Sequence, residues 1–189
     1  MPSTGKASTR DRLLDAAAEL FYREGVSIGV ETLCRTAGVS KRSMYLLFDS
    51  KDEVFAASLK RRAPAYEEQL ALRAAEPGPP RARILYVFER LEKLAETAGY
   101  RGCPFLAAQV ELKDPDHPAS IVAEEVKRHL TDVFRAEGER GGARDPALLA
   151  RQLTLVFDGA SARAGAKVES LRGLAVHTAA TLLDAAGVE

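Results

Sequence analysis

Apolar residues recur every three or four positions along most of the chain, which is the spacing that lines one face of an α-helix. The predicted helices cover residues 9–23, 30–37, 41–48, 50–75, 81–96, 105–112, 119–137, 145–168 and 169–186. A bend is expected at Pro64, because a proline inside a helix disrupts its hydrogen bonding. No segment has the apolar–polar alternation of a half-buried strand. The pattern therefore predicts an all-α protein.

Residues 30–53 predict a helix-turn-helix followed by a newly capped third helix. Gly38 ends the first helix at a position where the chain commonly turns left-handed. Ser40 is a favourable N-cap for the second helix, and the sequence SKDE at 50–53 is a capping box for the third. Two short helices joined by a turn that contains Gly are typical of a DNA-reading module.

The second of these helices carries the predicted DNA contacts. At about 100° per residue, Lys41, Arg42, Tyr45 and Leu46 fall on one side of it, a surface that suits the major groove. Leu46 would contact a thymine methyl group, and residues at helix N-termini would hold phosphate. The predicted DNA-binding set is Ser40, Lys41, Arg42, Ser43, Tyr45, Leu46 and Lys51. The alternative is a small amphipathic helix whose basic side is merely solvated.

Residues 9–59 resemble the DNA-binding domain of the TetR family of transcriptional repressors. The matching segments are LLDAAAELF at 13–21, Gly25, AGVS at 37–40, Tyr45, Phe48 and SKDE at 50–53. Further along, YRGCPF at 100–105 and DPDHP at 114–118 resemble one subgroup of that family. The chain departs from the family pattern at Gly29, at Cys34, and at Leu46 and Leu47, which replace polar or His residues.

The resemblance implies a helix-turn-helix domain at 1–53, a connecting helix at 50–75, and a ligand-binding and dimerisation domain at 76–189. It implies a ligand-responsive repressor that binds a palindromic operator as a homodimer and is released by a small-molecule effector. Neither an enzymatic activity nor a cofactor is expected. Two alternatives stay open, namely a helical-bundle enzyme or small-molecule carrier with a vestigial helix-turn-helix, and a helical protein-interaction module.

Aromatic residues on separate predicted helices indicate where the effector would bind, since ligand sites combine an apolar lining with a few polar groups. The resemblance would place the polar pair on the short helix 105–112, at the pocket wall, where Glu111 would favour cationic or hydroxyl-bearing ligands. The predicted ligand-binding residues are Tyr86, Phe88, Phe105, Gln109, Glu111, Phe134 and Phe157. The same aromatic spacing is also typical of an ordinary core.

The last two predicted helices have an apolar face that could form a four-helix bundle with a second copy across a two-fold axis. The predicted dimerisation residues are Leu149, Leu153, Val156, Leu171, Leu174 and Leu182. The alternative is that this face packs on the body of its own subunit.

The distribution of charge along the chain is consistent with DNA binding by the N-terminal region. The 189 residues carry no net charge, but residues 1–62 hold 11 Lys or Arg against 8 Asp or Glu, and the remainder holds 16 against 19. A basic N-terminal region on an acidic body supports DNA contact at one end. With two unpatterned cysteines, no apolar run long enough to span a membrane and no signal peptide, a cytoplasmic protein is expected.

Few residues suggest catalysis or metal binding. Glu111, Asp114, Asp116 and His117 form a local cluster of metal-ligand types, but Asp in a Pro-rich turn usually caps or turns the chain, so no metal site is predicted. Cys103 stands at a predicted helix start, where a redox sensor and a small buried thiol are the alternatives. The sequence has neither a P-loop nor a nucleophile elbow.

Overall fold

The computed structural model describes residues 7–70 and 78–189, and in these ranges the regular structure is entirely helical. The helices are α1 Thr9–Glu24, α2 Val30–Ala37, α3 Lys41–Tyr45, α4 Lys51–Gln69, α5 Pro80–Ala95, α6 Pro104–Leu112, α7 Pro118–Arg140, α8 Pro146–Gly165 and α9 Leu174–Ala186. The prediction of an all-α protein with an N-terminal helix-turn-helix and a helical C-terminal body is confirmed.

Side-chain caps begin the helices where the sequence predicts them. The Ser40 hydroxyl accepts the Ser43 N–H at 3.0 Å, and the Asp145 carboxylate accepts the Leu148 N–H at 2.9 Å. At the start of α4, the Ser50 hydroxyl accepts the Glu53 N–H at 3.1 Å. The Glu53 carboxylate in turn accepts the Asp49 N–H at 2.8 Å. These bonds satisfy backbone donors that a helix leaves without intrahelical partners, so the boundaries are set locally.

The clearest differences from the predicted boundaries are in α3 and α9. Helix α3 ends at Tyr45 and not at Phe48, because the chain turns there to bury Phe48 and to begin α4. Helix α9 begins at Leu174, five residues later than predicted, after Arg172 and Gly173 take positive φ angles. Helix α4 runs through Pro64 to Gln69, within the predicted helix at 50–75, and the bend expected at Pro64 stays a prediction.

The chain divides into two compact units. The first comprises Met1–Ala63 and Ala107–Glu124, and the second comprises Pro64–Leu106 and Glu125–Glu189. The predicted domains at 1–53 and 76–189 do not include this return of residues 107–124 to the first unit. The predicted domain boundaries remain a prediction. The return of residues 107–124 was not predicted, because a contact between distant segments has no local sequence signal.

Each unit has its own apolar core. In the first, Leu13, Leu14, Leu33 and Met44 are fully buried, and the rings of Phe21 and Phe55 lie 4.1 Å apart. The second core is described with the aromatic residues below. In both units the buried side chains come from helices that present one apolar stripe inward.

The N-terminus of α9 is capped from α5. The Glu92 carboxylate accepts the N–H groups of Gly173 at 2.6 Å, Ala175 at 2.9 Å and Val176 at 3.2 Å. A carboxylate at this position satisfies orphan donors and interacts favourably with the helix dipole. Because Glu92 lies about 80 residues earlier in the chain, this cap could not be read from the sequence around α9.

Replacing Glu92 with Ala should therefore lower the free energy of unfolding by about 1–3 kcal/mol, since partly buried donors at the start of α9 lose a charged acceptor. Glu89→Ala, one turn earlier on the same helix at an exposed position, should change it by less than about 0.5 kcal/mol. Urea denaturation followed by circular dichroism measures both. Equal effects of the two substitutions would contradict the capping role.

Candidate nucleic-acid interface

The turn between α2 and α3 is held by contacts from within the first unit. Gly38 adopts the left-handed conformation, with φ 63° and ψ 39°, as its position predicts. The Arg12 guanidinium of α1 donates to the Gly38 carbonyl at 3.0 Å. Below the turn, the Cys34 and Met44 sulfur atoms lie 3.8 Å apart, and burial raises the pKa of the Cys34 thiol. Cys34 is therefore a small packing residue that stays protonated at neutral pH.

Helix α3 presents a basic and apolar face to solvent. Lys41, Arg42 and Tyr45 are exposed, and 76% of Leu46 is accessible. Lys41 pairs with Glu31 at 3.6 Å, and because this pair is exposed and weak, the Lys41 charge remains available to another partner. These four side chains lie on the predicted face, opposite the buried Met44.

Two neighbours of this face differ from the prediction in detail. Ser43 is half-buried, and its hydroxyl shares a 2.8 Å hydrogen bond with that of Ser40, so both serines also cap the helix. Leu47, which helical spacing would place on the side opposite Lys41 and Arg42, is exposed. The reason is that α3 ends at Tyr45, after which helical periodicity no longer applies.

Lys51 and Glu111 both bind the turn between α1 and α2. The Lys51 ammonium donates to the Val26 carbonyl at 2.9 Å, and the Glu111 carboxylate accepts the Val26 N–H at 2.8 Å. One of the three ammonium donors of Lys51 is thereby used, which leaves two for phosphate. Glycine suits position 25 because its φ is 85°, and a Cβ atom there would also displace the Glu111 carboxylate, which would lie 2.6 Å away.

His117 makes a second contact within the same unit. Its Nδ1 accepts the Ala119 N–H at 3.0 Å, which caps α7, and its Nε2 lies 3.6 Å from the Asp52 carboxylate on α4. The DPDHP segment is thus a capping turn, which is the usual role of Asp residues in a Pro-rich turn. Residues 7–70 and 78–189 contain no group of three or more His, Cys, Asp or Glu side chains that could hold a metal ion.

Comparison with known proteins supports a DNA-binding role for this arrangement. Residues 13–58 match the model of the N-terminal domain of bacterial regulatory proteins of the tetR family. A crystal structure of a TetR transcriptional regulator from Streptomyces avermitilis is 60% identical, with a TM-score of 0.94 over 97% of this chain and 100% of that chain.

The chain belongs to the TetR family of transcriptional regulators.

Two curated proteins are similar over shorter stretches. The HTH-type transcriptional repressor NemR of Escherichia coli is 32% identical over 109 residues, which are 56% of this chain and 55% of NemR. The HTH-type transcriptional regulator Rv1255c of Mycobacterium tuberculosis is 33% identical over 76 residues, 40% of this chain and 38% of that protein. The chain therefore spans about half the length of NemR and less of Rv1255c. The similar proteins are transcriptional regulators and not enzymes.

The aromatic residues predicted to bind the effector of this TetR-family protein do not form one group. Phe88, Phe134 and Phe157 meet in the core of the second unit, with Phe88 stacked on Phe134 at 5.6 Å and edge-on to Phe157 at 6.3 Å. Phe105 lies instead against Tyr66, at 5.2 Å between ring centroids. Tyr66 was not predicted, because nothing in its local pattern distinguishes it from a core residue.

Three other residues predicted to contact the effector stay predictions, and the structure gives each of them an exposed position or a protein partner. Tyr86 is exposed on α5, while Gln109 is hydrogen-bonded to Glu124 at 3.1 Å. Glu111 is exposed, and its carboxylate binds Val26 as described above. The polar pair on α6 thus lies in the first unit and is bonded to protein groups, so the preference for cationic ligands that Glu111 was expected to impose has no structural support.

The predicted dimerisation set also stays a prediction, and its members differ in burial. Leu149, Leu153 and Leu171 are buried in the core of their own subunit, where they have no surface to offer a second copy. Val156 and Leu182 are half-buried, and Leu174 is exposed. Half of the predicted set is therefore buried within the subunit, as the alternative interpretation expects, and the other half keeps some exposed apolar surface.

The sequence analysis did not identify a partly buried polar cluster in the second unit. In this cluster the Lys127 ammonium pairs with the Asp158 carboxylate. The hydroxyls of Tyr100 and Ser161 share a hydrogen bond of 2.9 Å. Asp158 and Ser161 lie on the inner face of α8 with Thr154, which bonds to Thr131 of α7 at 3.0 Å. Polar residues at positions 154, 158 and 161 of an otherwise apolar stripe were the available signal.

No helix in residues 7–70 or 78–189 is long and apolar enough to cross a membrane.

Proposed function

We propose that this TetR-family regulator is a ligand-responsive repressor, which binds a palindromic operator as a homodimer and leaves it when a small-molecule effector binds. The observation that carries the proposal is the exposed basic and apolar face of α3 on a turn held by Gly38 and Arg12. The similarity to NemR, which is named as a repressor, supports repression and not activation of transcription. Action on DNA would place the protein in the cytoplasm.

The α3 face has the chemistry of a major-groove reader. Arg42 can donate two parallel hydrogen bonds to guanine, and Leu46 can contact a thymine methyl group. Tyr45 and Lys41 would fix the register by binding phosphate oxygens, together with Ser40, Ser43 and Lys51 near helix N-termini. The five-residue length of α3 supports this role, since a short helix can enter the groove with its N-terminal turn leading.

The proposed dimer uses the outer faces of α8 and α9. Exposed or small residues recur at helical spacing on α8, at Leu148, Leu155, Gly159 and Ala162, and Leu174 is exposed on α9. An antiparallel helix pair with an unpaired apolar outer stripe can form a four-helix bundle with its symmetry mate. Half-buried Val156 and Leu182 would lie at the edges of this contact. A two-fold dimer implies two operator half-sites in inverted orientation.

The proposed effector region lies within the second unit, near its aromatic core. Phe88, Phe134 and Phe157 supply an apolar wall, and Phe105 with Tyr66 supplies another. The effector need only bind more tightly to the conformation that does not fit DNA. A hundredfold preference corresponds to about 2.7 kcal/mol of coupling, which is within the usual allosteric range.

Substitutions on α3 and α4 test the DNA-binding role. On an operator selected from a randomised duplex library, Arg42→Ala should cost about 1–3 kcal/mol and relax base preference at one position per half-site. Lys51→Ala should weaken binding to all sequences alike and reduce the salt dependence by about one unit of slope. Affinities are measured by fluorescence anisotropy at several salt concentrations.

The matched control is Arg128→Ala, which removes one exposed cation from α7 in the second unit and should leave operator affinity unchanged. Thermal unfolding of Lys51→Ala separates loss of a phosphate contact from loss of the Val26 hydrogen bond. If Arg42→Ala bound the selected operator like the wild type, with the same base preference, α3 would not be the reading helix. If the wild type selected no sequence at all, a carrier or an enzyme would be the better account.

A further inference from the structure

The turn between α1 and α2 has few local restraints from side chains. It begins at Gly25, which has a φ of 85°, and it ends at Gly29, the N-cap of α2, where no side chain caps the helix. A glycine at each end gives the backbone of the turn more accessible conformations than other residues would. Contacts from elsewhere in the same unit are therefore needed to select one conformation.

Two charged side chains from distant parts of the chain bind the backbone of Val26 in this turn. Glu111 of α6 accepts the Val26 N–H at 2.8 Å, and Lys51 of α4 donates to the Val26 carbonyl oxygen at 2.9 Å. Hydrogen bonds with one ionised partner are shorter and roughly twice as strong as bonds between neutral groups. The turn is thus held through both backbone polar groups of one residue.

The Glu111 carboxylate lies directly against the start of the turn. A Cβ atom added at Gly25 would come within 2.6 Å of a carboxylate oxygen and 3.3 Å of the carboxyl carbon. Residues 107–124 belong to the same compact unit as the helix-turn-helix. The contact between Glu111 and the turn is therefore internal to the unit that carries α3.

The position of this turn affects the position of the reading helix. Helix α2 follows the turn, and α3 packs on α2, where the Cys34 and Met44 sulfur atoms lie 3.8 Å apart. A displaced turn would change where α2 begins and, through α2, how α3 enters the major groove. Recognition is sensitive to such a change, because binding groups need to be held within about 0.5 Å of their productive positions.

Charge alone gives no reason for a carboxylate in this unit. Residues 1–62 carry 11 Lys or Arg against 8 Asp or Glu, and Glu111 adds a negative charge beside this basic region. Removing an anion from a DNA-binding unit should leave the affinity for phosphate unchanged or raise it. A loss of operator affinity on removal of Glu111 would therefore come from the hydrogen bond and not from the charge.

We propose that Glu111 is a positioning residue for operator recognition, which binds the Val26 N–H and thereby fixes the α1–α2 turn that leads into the helix-turn-helix. This inference rests on the proposed function, since it requires that α3 reads an operator. Glu111 acts through the turn and needs no contact with DNA.

Two substitutions at position 111 separate the hydrogen bond from the charge. Glu111→Ala removes both, whereas Glu111→Gln removes the charge and keeps an oxygen that can accept the Val26 N–H. On the operator selected by the wild type, Glu111→Ala should lower affinity about tenfold, a change of about 1.4 kcal/mol. Glu111→Gln should stay within about threefold of the wild type, because a neutral acceptor gives a weaker bond. Fluorescence anisotropy at several salt concentrations measures both.

Three further measurements distinguish positioning from a general loss of folded protein. The affinity of Glu111→Ala for a random duplex should not fall, because sequence-independent binding to phosphates does not require one orientation of α3. The salt dependence of operator binding should keep its slope, since no phosphate contact is removed. Hydrogen exchange followed by mass spectrometry should be faster than in the wild type at residues 25–29 and unchanged in α9.

Asp116→Ala is the matched control. It removes one exposed carboxylate from the same segment, residues 107–124, and should bind the operator like the wild type or slightly more tightly. A tenfold loss in this variant as well would show that the effect does not depend on the bond to Val26, and would overturn the inference.

Other results would also overturn it. These are a Glu111→Ala protein that binds the operator as tightly as the wild type, a Glu111→Gln protein that loses as much affinity as Glu111→Ala, and unchanged hydrogen exchange in the turn. Equal losses on operator and random duplex would indicate unfolding in place of positioning. A wild type that selects no operator would contradict the proposed repressor and this inference together. A wild type that selects an operator and is matched by Glu111→Ala would contradict only the positioning role.

Discussion

Replacing Asp158 with Ala should lower the free energy of unfolding by about 3–5 kcal/mol, the usual effect of removing one partner from a buried ion pair. Its partner Lys127 is 8% exposed, and its ammonium lies 5.2 Å from the centre of the Phe157 ring. The ring offsets only part of the loss, because a cation–π contact is weaker than a paired carboxylate in this setting. Urea denaturation at neutral pH measures the change.

A surface ion pair on α7 provides the matched control. Asp132 pairs with Arg135 at 3.2 Å, and about half of each side chain is exposed. Asp132→Ala should therefore cost less than about 1 kcal/mol. The double substitution Lys127→Met with Asp158→Leu should recover most of the stability that Asp158→Ala loses, because neither charge remains buried. Similar effects of Asp158→Ala and Asp132→Ala on stability would mean that water reaches the Lys127–Asp158 pair and screens its charges.

Replacing Leu155 with Arg should separate the proposed dimer into monomers. Leu155 is 72% exposed on the outer face of α8, and in a two-fold bundle it would approach its own copy, so the substitution introduces like charges into an apolar contact. Sedimentation equilibrium should then give the mass of one 20.4 kDa chain. Operator affinity should fall by about a hundredfold or more, because each half-site is bound without help from the other.

Ile121 is an exposed apolar residue of α7 that lies outside the proposed dimer face of α8 and α9. Ile121→Arg should therefore change neither the mass in solution nor the operator affinity. Leu155→Ala should weaken association without abolishing it. Both proteins should keep the helical circular dichroism of the wild type, which excludes unfolding as the cause. A dimeric Leu155→Arg protein with normal operator affinity would place the interface on another surface.

Much of the DNA-binding region could be predicted because its signals are local. Gly38 takes the left-handed turn and Ser40, Ser50 and Asp145 cap their helices through groups within three residues. The exposed face of α3 follows from helical spacing alone. What could not be predicted is the support beneath it, since Arg12 reaches Gly38 across 26 residues and Glu111 reaches Val26 across 85.

The candidate effector and dimer residues were harder to predict for a related reason. An apolar stripe indicates that a helix has a face to bury, but it does not indicate whether the same chain or a second copy covers that face. Leu149 and Leu153 of α8 illustrate this point, since both fit an interface by pattern and both are buried within the subunit. Leu155, two positions further along, is 72% exposed instead.

The sequence by itself determined the helices, their caps, the helix-turn-helix and its exposed face, because backbone conformation and capping depend on neighbours within about one turn. Only the tertiary structure decided that Glu92 caps α9, that Glu111 binds the α1–α2 turn, and that the Tyr66 ring packs against Phe105. These features depend on which side chains meet after the helices pack. Pairings between side chains far apart in the sequence have no periodic signal along the chain.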